Sequence, residues 1–359
     1  MRIGLIAPPW ITVPPVGYGG TEAVVDQLAL GLRAAGHVPV LAAHPDSRCP
    51  VDAVAVDGEH RREIGSLREE ASFSAAARAV LEDAGVDVIH DHTVGCALVE
   101  RPSTVPVVVT MHGPPDARLL PLYRGLGERA AVIAISRTQA HLARGVRVAR
   151  VIHHGVDPDA YPVGDGRGGY LLHLGRMSPD KGIDTAIRVA RRSGVDLVIA
   201  SKMREPAERA YFDATIRPML GPGVEFVGEV QGVEKLRLLG AARALLNPIR
   251  WDEPFGMVMI ESLACGTPVI ATPRGAAPEI VLAGLGRLVA TEDEMVSAVA
   301  EVDRCDRVAC RDAVRQRFST RRMVEDHLNL YRELMAHAHH EGVSAGSAPI
   351  SRQPVTLAG

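Results

Sequence analysis

Short apolar runs separated by amphipathic stretches recur along the chain, and this alternation narrows its fold more than any other feature. Residues 2–7, HVPVLAA, VDVIHDH, VPVVVTMHG and AVIAIS each read as a buried strand. Between the first two, Val24, Val25, Leu28 and Leu32 mark one helical face, with Thr21 or a neighbouring glycine as cap and Gly36 as stop. A further helix is expected near 71–84. Strands that are apolar throughout and alternate with helices predict a mainly parallel sheet covered on both faces, with functional residues at the carboxyl ends of its strands.

The pattern breaks once and then resumes. A Pro-, Gly- and Asp-rich patch over 155–169 interrupts it, after which YLLHLG, VDLVIASKM, VEFVGEV, ALLNPIR and RLVA alternate with helical stretches. A chain of 359 residues suits about two domains. The division expected is a first α/β domain over 1–155, a linker over 156–169 and a second α/β domain over 170–317. A helix over 318–341 follows, with apolar residues at 324, 328, 331 and 335, and a tail over 342–359 that lacks periodicity and is expected to be disordered.

Composition removes several classes. A net charge of -3 with 47% hydrophobic residues describes a globular protein with ample core and gives no sign of a nucleic-acid partner. No apolar run reaches the roughly 18 residues of a membrane span and no leader follows Met1, so a cytoplasmic protein is expected, with a position against the inner membrane face left open. Cys49, Cys96, Cys265, Cys305 and Cys310 form no C-x-x-C pair, which argues against a zinc site or a disulfide framework. Lysine occurs three times, at 181, 202 and 235, against 37 arginines. Lys235 sits among charged helix residues and reads as surface decoration, Lys202 follows a strand and fits a cleft or the surface, and Lys181 belongs to a motif.

Most of the chemistry is concentrated in WDEPFGMVMIESLACGTPVIATPRGAAPEIV, residues 251–281. Glu253 precedes a Pro-Phe-Gly turn, a helix is expected from about Gly256, and Glu261 then falls on its second turn. Unpaired N–H groups at a helix start attract an anion, and carboxylates accept hydrogen bonds from hydroxyls. A nucleotide sugar offers both. In the order of its acids, turn, helix, Cys-Gly-Thr-Pro and Gly-Ala-Ala-Pro-Glu, this stretch closely resembles the nucleotide-binding signature of the retaining glycosyltransferases of family 4. Gly-Arg-x-x-Pro-x-Lys-Gly, with Arg176 and Lys181 around a helix start expected at Ser178-Pro179, resembles the same family's phosphate site. A guanidinium grips phosphate oxygens in two places and an ammonium adds a mobile charge.

The resemblance extends from Gly19 to the terminal helix. It implies the GT-B fold, two Rossmann-like domains facing each other across a cleft, with the C-terminal helix crossing back to the first domain. It implies that Gly19 and Gly20 face the donor phosphates and that His112 in TMHGPP meets the donor sugar; a core histidine bonded to a carbonyl is the alternative for His112. Donor contacts are further expected from Phe255, Gly256, Met257 and Val258, with the nucleobase at backbone groups around Val230 and the ribose at Glu261. Main-chain contacts of this kind do not separate uracil from guanine or adenine.

Other readings of the same residues are weaker. Gly17-Tyr18-Gly19-Gly20 is no dinucleotide fingerprint, because Glu22 occupies the third glycine position and about nine residues separate it from the strand. His90, Asp91 and His92 do not make a three-ligand metal site, since alternation along a strand sends Asp91 to the opposite side; they are expected to line the cleft. Asp157-Pro158-Asp159 has a metal-motif spacing but reads as a linker turn, and His154 stands where the family usually has Asn and is given no role. Acceptor contacts are expected from Trp10, Tyr18, Glu22 and His92.

The activity expected is transfer of a hexose-type sugar from a nucleotide-sugar donor, a UDP-sugar first, to a hydroxyl of a sugar, lipid-linked or natural-product acceptor. Retention at the anomeric carbon and independence of metals and other cofactors go with it, and His112, Arg176, Lys181 and Glu253 are the catalytic candidates. A sugar-nucleotide epimerase, a phosphorylase and a non-catalytic sugar-nucleotide-binding protein are the alternatives.

Overall fold

The computed structural model describes residues 1–17, 19–57, 65–127 and 129–345, with side chains described through residue 338. Tyr18 and the expected disordered tail beyond residue 345 lie outside the described residues. Two parallel sheets form, one from each half of the chain.

The first half alternates as its apolar runs require. It comprises β1 (Arg2–Ile6), α1 (Gly20–Ala34), β2 (Val38–Ala42), β3 (Asp52–Ala53), α2 (Leu67–Asp83), β4 (Val88–Asp91), β5 (Val107–Met111), α3 (Leu120–Leu126), β6 (Ala131–Ala134), α4 (Arg137–Leu142) and β7 (Val148–Val151). Among the described residues its seven strands are ordered β3-β2-β1-β4-β5-β6-β7. Ile3 pairs with Val88 and Ile6 with Asp91, so the order reverses between β1 and β4. A crevice opens at such a reversal, outside the carboxyl ends of the strands.

After the linker come β8 (Tyr170–Arg176), α5 (Ile183–Ser193), β9 (Asp196–Lys202), α6 (Pro206–Tyr211), β10 (Val224–Gly228), α7 (Gly232–Ala241), β11 (Ala244–Asn247), α8 (Met257–Ala264), β12 (Val269–Ala271), α9 (Ala277–Ile280), β13 (Gly286–Leu288), α10 (Glu292–Glu301) and α11 (Arg307–Arg317). The six strands of this half are ordered β10-β9-β8-β11-β12-β13 among the described residues, with the reversal between β8 and β11. The helix expected to start at Ser178-Pro179 differs. Pro179–Lys181 forms a single 3-10 turn, Gly182 adopts a left-handed conformation, and α5 begins only at Ile183. Lys181 therefore stands ahead of the helix. The two-residue β3 and the polar α11 carry too little apolar periodicity to stand out in the sequence.

The last helix, α12 (Thr320–Ala345), extends beyond the expected end at 341 and crosses back onto the first domain. Its apolar face, Val324, Leu328 and Tyr331, joins the core cluster of Val24, Val25, Leu28 and Leu32, so two stripes visible in the sequence cover each other. Tyr331 is fully buried and its hydroxyl lies 2.7 Å from Nδ1 of His90. The chain crosses between domains twice side by side: the Val156 N–H donates to the Phe318 carbonyl, and the Thr320 N–H to the Val156 carbonyl. Among the described residues no helix is long and apolar enough to cross a membrane.

The contact of α1 with α12 depends on Gly31, where an added Cβ would come within 2.6 Å of Val324 Cγ2. Gly31→Leu is expected to lower stability by about 1–3 kcal/mol through overpacking. Urea denaturation measures this, and pairing the change with Val324→Ala should return part of the loss.

Candidate active site

The carboxyl ends of the second sheet assemble a charged wall. β8 ends at Arg176, β9 at Lys202, and the loop after β11 carries Trp251 and Glu253. Lys181 Nζ donates to both oxygens of Glu253, at 2.8 and 2.7 Å, and lies 5.2 Å from the centre of the Trp251 ring. Side-chain exposures of 10% and 14% put this ion pair largely out of water. Desolvation then offsets much of its attraction, and either charge left alone would be costly. Arg176 is half-buried and holds Asp180 at 3.3 Å.

The turn into α8 follows directly. Gly256 has φ 97°, a left-handed conformation that side chains rarely adopt, and it caps the helix without a side-chain hydrogen bond. Met257 and Val258 thus present the first N–H groups of α8, which have no acceptor within the helix. Glu261 occupies the second turn, as its spacing from Glu253 predicts. It is paired with Lys235 at 2.6 Å and accepts from the Tyr161 hydroxyl at 3.3 Å. Lys235 is therefore a correction: it is the partner of Glu261 on the cavity wall. Only its rarity in the sequence signalled it, and Tyr161, from the linker, gave no signal.

The first domain supplies a wall of neutral rings. His112 follows β5, and burial holds its pKa down at about 3. Its Nε2 lies 2.8 Å from Nδ1 of His92, and its ring stacks on His154 with centroids 5.3 Å apart and planes 17° apart. His154, given no role from sequence, lines the cavity beside His112. The expectation for the 90–92 cluster needs correction. His90 is fully buried, with its two nitrogens on Tyr331 and Thr110, and His92 stands behind His112 rather than on the cavity wall. Asp91 does face the other way, onto Ser74, Thr93 and Arg78. Trp10 is tied to Glu70 at 3.2 Å and also lies off the wall, whereas Glu22 is on it. Burial pushes the Glu22 pKa up to about 7, helped by Glu70 and opposed by its own backbone N–H.

Two adjoining cavities occupy the space between the domains. The larger, about 460 Å³, is lined by Gly19, Gly20, Glu22, His112, His154, Arg176, Lys181, Lys202, Glu253, Phe255 and Gly256. The smaller, about 290 Å³, is lined by Val230, Gln231, Lys235 and Glu261. Gly19, Gly20, Gly175, Lys202, Met257 and Val258 border both. Polar hydrogen-bonding groups and cations in an enclosed cleft suit a phosphorylated, hydroxyl-rich molecule. Asp157 caps a turn and Asp159 pairs with Arg311 and Arg315, so this Asp-Pro-Asp is structural. Among the described residues no three His, Cys, Asp or Glu side chains gather as metal ligands.

Comparison with known proteins gives consistent relationships. The family model described as Glycosyltransferase Family 4 matches residues 18–160, and that described as Glycosyl transferases group 1 matches residues 168–303. Phosphatidyl-myo-inositol mannosyltransferase of Mycobacterium tuberculosis is 28% identical over 355 residues, spanning 89% of this chain and 90% of its own. Among solved structures, a glycosyltransferase involved in avilamycin A biosynthesis is 29% identical with a TM-score of 0.73, covering 94% of this chain and 98% of that one. Sucrose-phosphate synthase from Thermosynechococcus elongatus, 23% identical, shares the fold with a TM-score of 0.79 and covers 94% of this chain and 99% of its own.

Glu279, quoted in the Gly-Ala-Ala-Pro-Glu string but given no role from sequence, bridges the two walls. From α9 of the second domain it accepts from the backbone N–H groups of Arg137 and Thr138, at 2.9 and 2.8 Å, and lies 2.8 Å from His153 Nε2. Burial would raise its pKa, but the hydrogen bonds from His153 and the two N–H groups outweigh that and hold it at about 2. A carboxyl depressed on folding stabilises fully above its ordinary value of 4.5 and loses that contribution as pH falls towards about 2. Glu279→Gln should therefore melt below the parent by a margin worth roughly 1–3 kcal/mol at pH 7. Thermal melts across pH should show the margin constant above 4.5 and closing by about 2.

Proposed function

The chain belongs to the family 4, group 1 glycosyltransferases of GT-B architecture, and on that premise we propose that it moves a hexose-type sugar from a nucleotide-sugar donor to a hydroxyl acceptor, with retention at the anomeric carbon and without a metal. The observation that carries this reading is the enclosed Lys181–Glu253 pair at the start of α8. It puts a cation for phosphate and an acceptor for sugar hydroxyls side by side in one cavity.

Breaking the bond between the anomeric carbon and the diphosphate leaves positive charge on the sugar and negative charge on the departing oxygen. Stabilising that oxygen is the main lever. Arg176, Lys181 and the N–H groups of Met257 and Val258 do so in this reading, with Gly19 and Gly20 allowing the first domain to approach the phosphates. As the donor enters, Lys181 turns from Glu253 to phosphate, and Glu253 takes sugar hydroxyls. Glu261, oriented by Lys235, accepts from the ribose, and backbone around Val230 meets the base. The smaller cavity, about 290 Å³, is bordered by Val230 and takes the nucleoside in this reading, with a UDP-sugar as the first donor to try. His112 meets the sugar from the opposite wall.

The acceptor hydroxyl attacks on the face the leaving group vacates. Its oxygen forms the new bond to the anomeric carbon, the bond to the diphosphate breaks, and the acceptor proton passes to the departing phosphate oxygen. Among the expected acceptor residues, Glu22 remains on the cavity wall and receives that role.

Lys181→Ala should lower kcat roughly 100-fold, because it removes charge stabilisation specific to the transition state. Glu261→Gln should instead raise the donor KM about tenfold with kcat nearly unchanged. Calorimetric titration of UDP, GDP and ADP, with and without EDTA, precedes the kinetics. Binding of one diphosphate that survives EDTA and is lost in Lys181→Ala supports the reading; unchanged kinetics in both variants would remove it.

A further inference from the structure

We propose that His92 is a positioning residue that holds His112 as the Nδ1-protonated imidazole, so that an N–H donor, and not a basic nitrogen, faces the cavity. This rests on reading that cavity as the sugar site. The contact itself is short, 2.8 Å between His92 Nδ1 and His112 Nε2, so a proton lies between these two atoms and one ring donates to the other.

Which ring donates is decided on the far side of His92. Its Nε2 is buried and has no hydrogen-bond partner among the described residues. His90, whose ring centroid is 4.0 Å away, cannot serve, because its own nitrogens are engaged by the Tyr331 hydroxyl and Thr110 Oγ1 at 2.7 Å each. If His112 donated from Nε2, neutral His92 would have to carry its proton on Nε2, leaving a buried N–H with no acceptor. If His92 donates from Nδ1, only a lone pair at Nε2 goes unmet. Orphaned buried N–H groups are the rarer and costlier of the two. Burial favours the neutral form of both rings. His327 helps at His112, which is held at about 3, and His90, His112, His327 and His154 help at His92, which is held well below its ordinary value. This disfavours an imidazolium that would donate from both nitrogens.

The consequence reaches the reaction. With Nε2 occupied by the proton from His92, His112 carries its own proton on Nδ1. The ring is clamped in that orientation by stacking on His154. His112 can then donate to an oxygen of the sugar or its leaving group but cannot accept the acceptor's proton. His92 touches no substrate and acts only through His112.

The test reads the tautomer directly. Imidazole 15N spectra of the full chain at neutral pH, assigned by difference with His112→Gln, should show His112 with a protonated Nδ1 and an unprotonated Nε2, without any substrate present. His92→Phe should move the proton to Nε2 or mix the two forms and lower kcat roughly tenfold. His92→Asn, whose amide N–H replaces the Nδ1–H, should keep the native tautomer and most of the activity. A native His112 protonated at Nε2, or a tautomer unchanged in His92→Phe, would overturn the proposal. Because the spectra need no donor, the expected tautomer in a protein that transfers no sugar would support this inference while ending the functional reading above.

Discussion

Three hydrogen bonds to one carboxylate tie the two walls of the candidate site to each other. Glu279 reaches from the second domain to the backbone at the start of α4 and to His153, both in the first. From the other side Arg322, at the start of α12, donates to the carbonyls of His153 and His154. The short segment carrying these two histidines is thereby held from both flanks. His154 is fixed beneath His112, and Phe255 packs edge-on against it at 5.2 Å. That junction adds to the crossing helix and the paired backbone bonds at Val156 in fixing the charged wall against the imidazole wall, where inter-domain contacts of ordinary size alone would let them move.

The two walls divide the electrostatic work. The cations lining the cavities come from the second domain, where each is held by a carboxylate: Lys181 by Glu253, Lys235 by Glu261, Arg176 by Asp180 and Lys202 by Glu205 and Glu208. Pairing of this kind lets charges sit in a partly dehydrated cleft until a more highly charged partner replaces the carboxylate. The first domain contributes rings that burial keeps uncharged. Had the histidines been protonated, they would have added repulsion towards Lys181 and Arg176 across the shared cavity. Under the proposed function, a neutral wall and a cationic one would receive the sugar and the diphosphate respectively.

Much of this was legible before the fold was known. Apolar stripes on α1 and α12 were readable because a helix repeats every 3.6 residues, and they pack against each other. Glu253, Gly256 and Glu261 were readable because a turn and a helix separate them by a fixed local geometry. Lys181 was legible as a cation but not as the head of a helix, because Gly182 breaks the chain there in a way that the Ser-Pro start signal conceals. Errors fell on residues whose roles depend on what lies across a gap. His92 and Trp10 looked like cleft residues, yet one is behind His112 and the other is turned onto Glu70.

By itself the sequence determined the two alternating halves, the linker between them and the local string of acids, glycines and bases along the second half. Those properties arise from contacts between residues a few positions apart, and periodicity and spacing record them. Only the tertiary structure decided that Lys235 serves Glu261, 26 positions away, that Glu279 holds His153 across 126, and that Tyr331 supports His90 across 241. Partners at such separations are chosen by how sheets and helices pack, and a single chain carries no local mark of the choice. The neutrality of His112 belongs to the same class, because it follows from exclusion of water by two domains and a crossing helix.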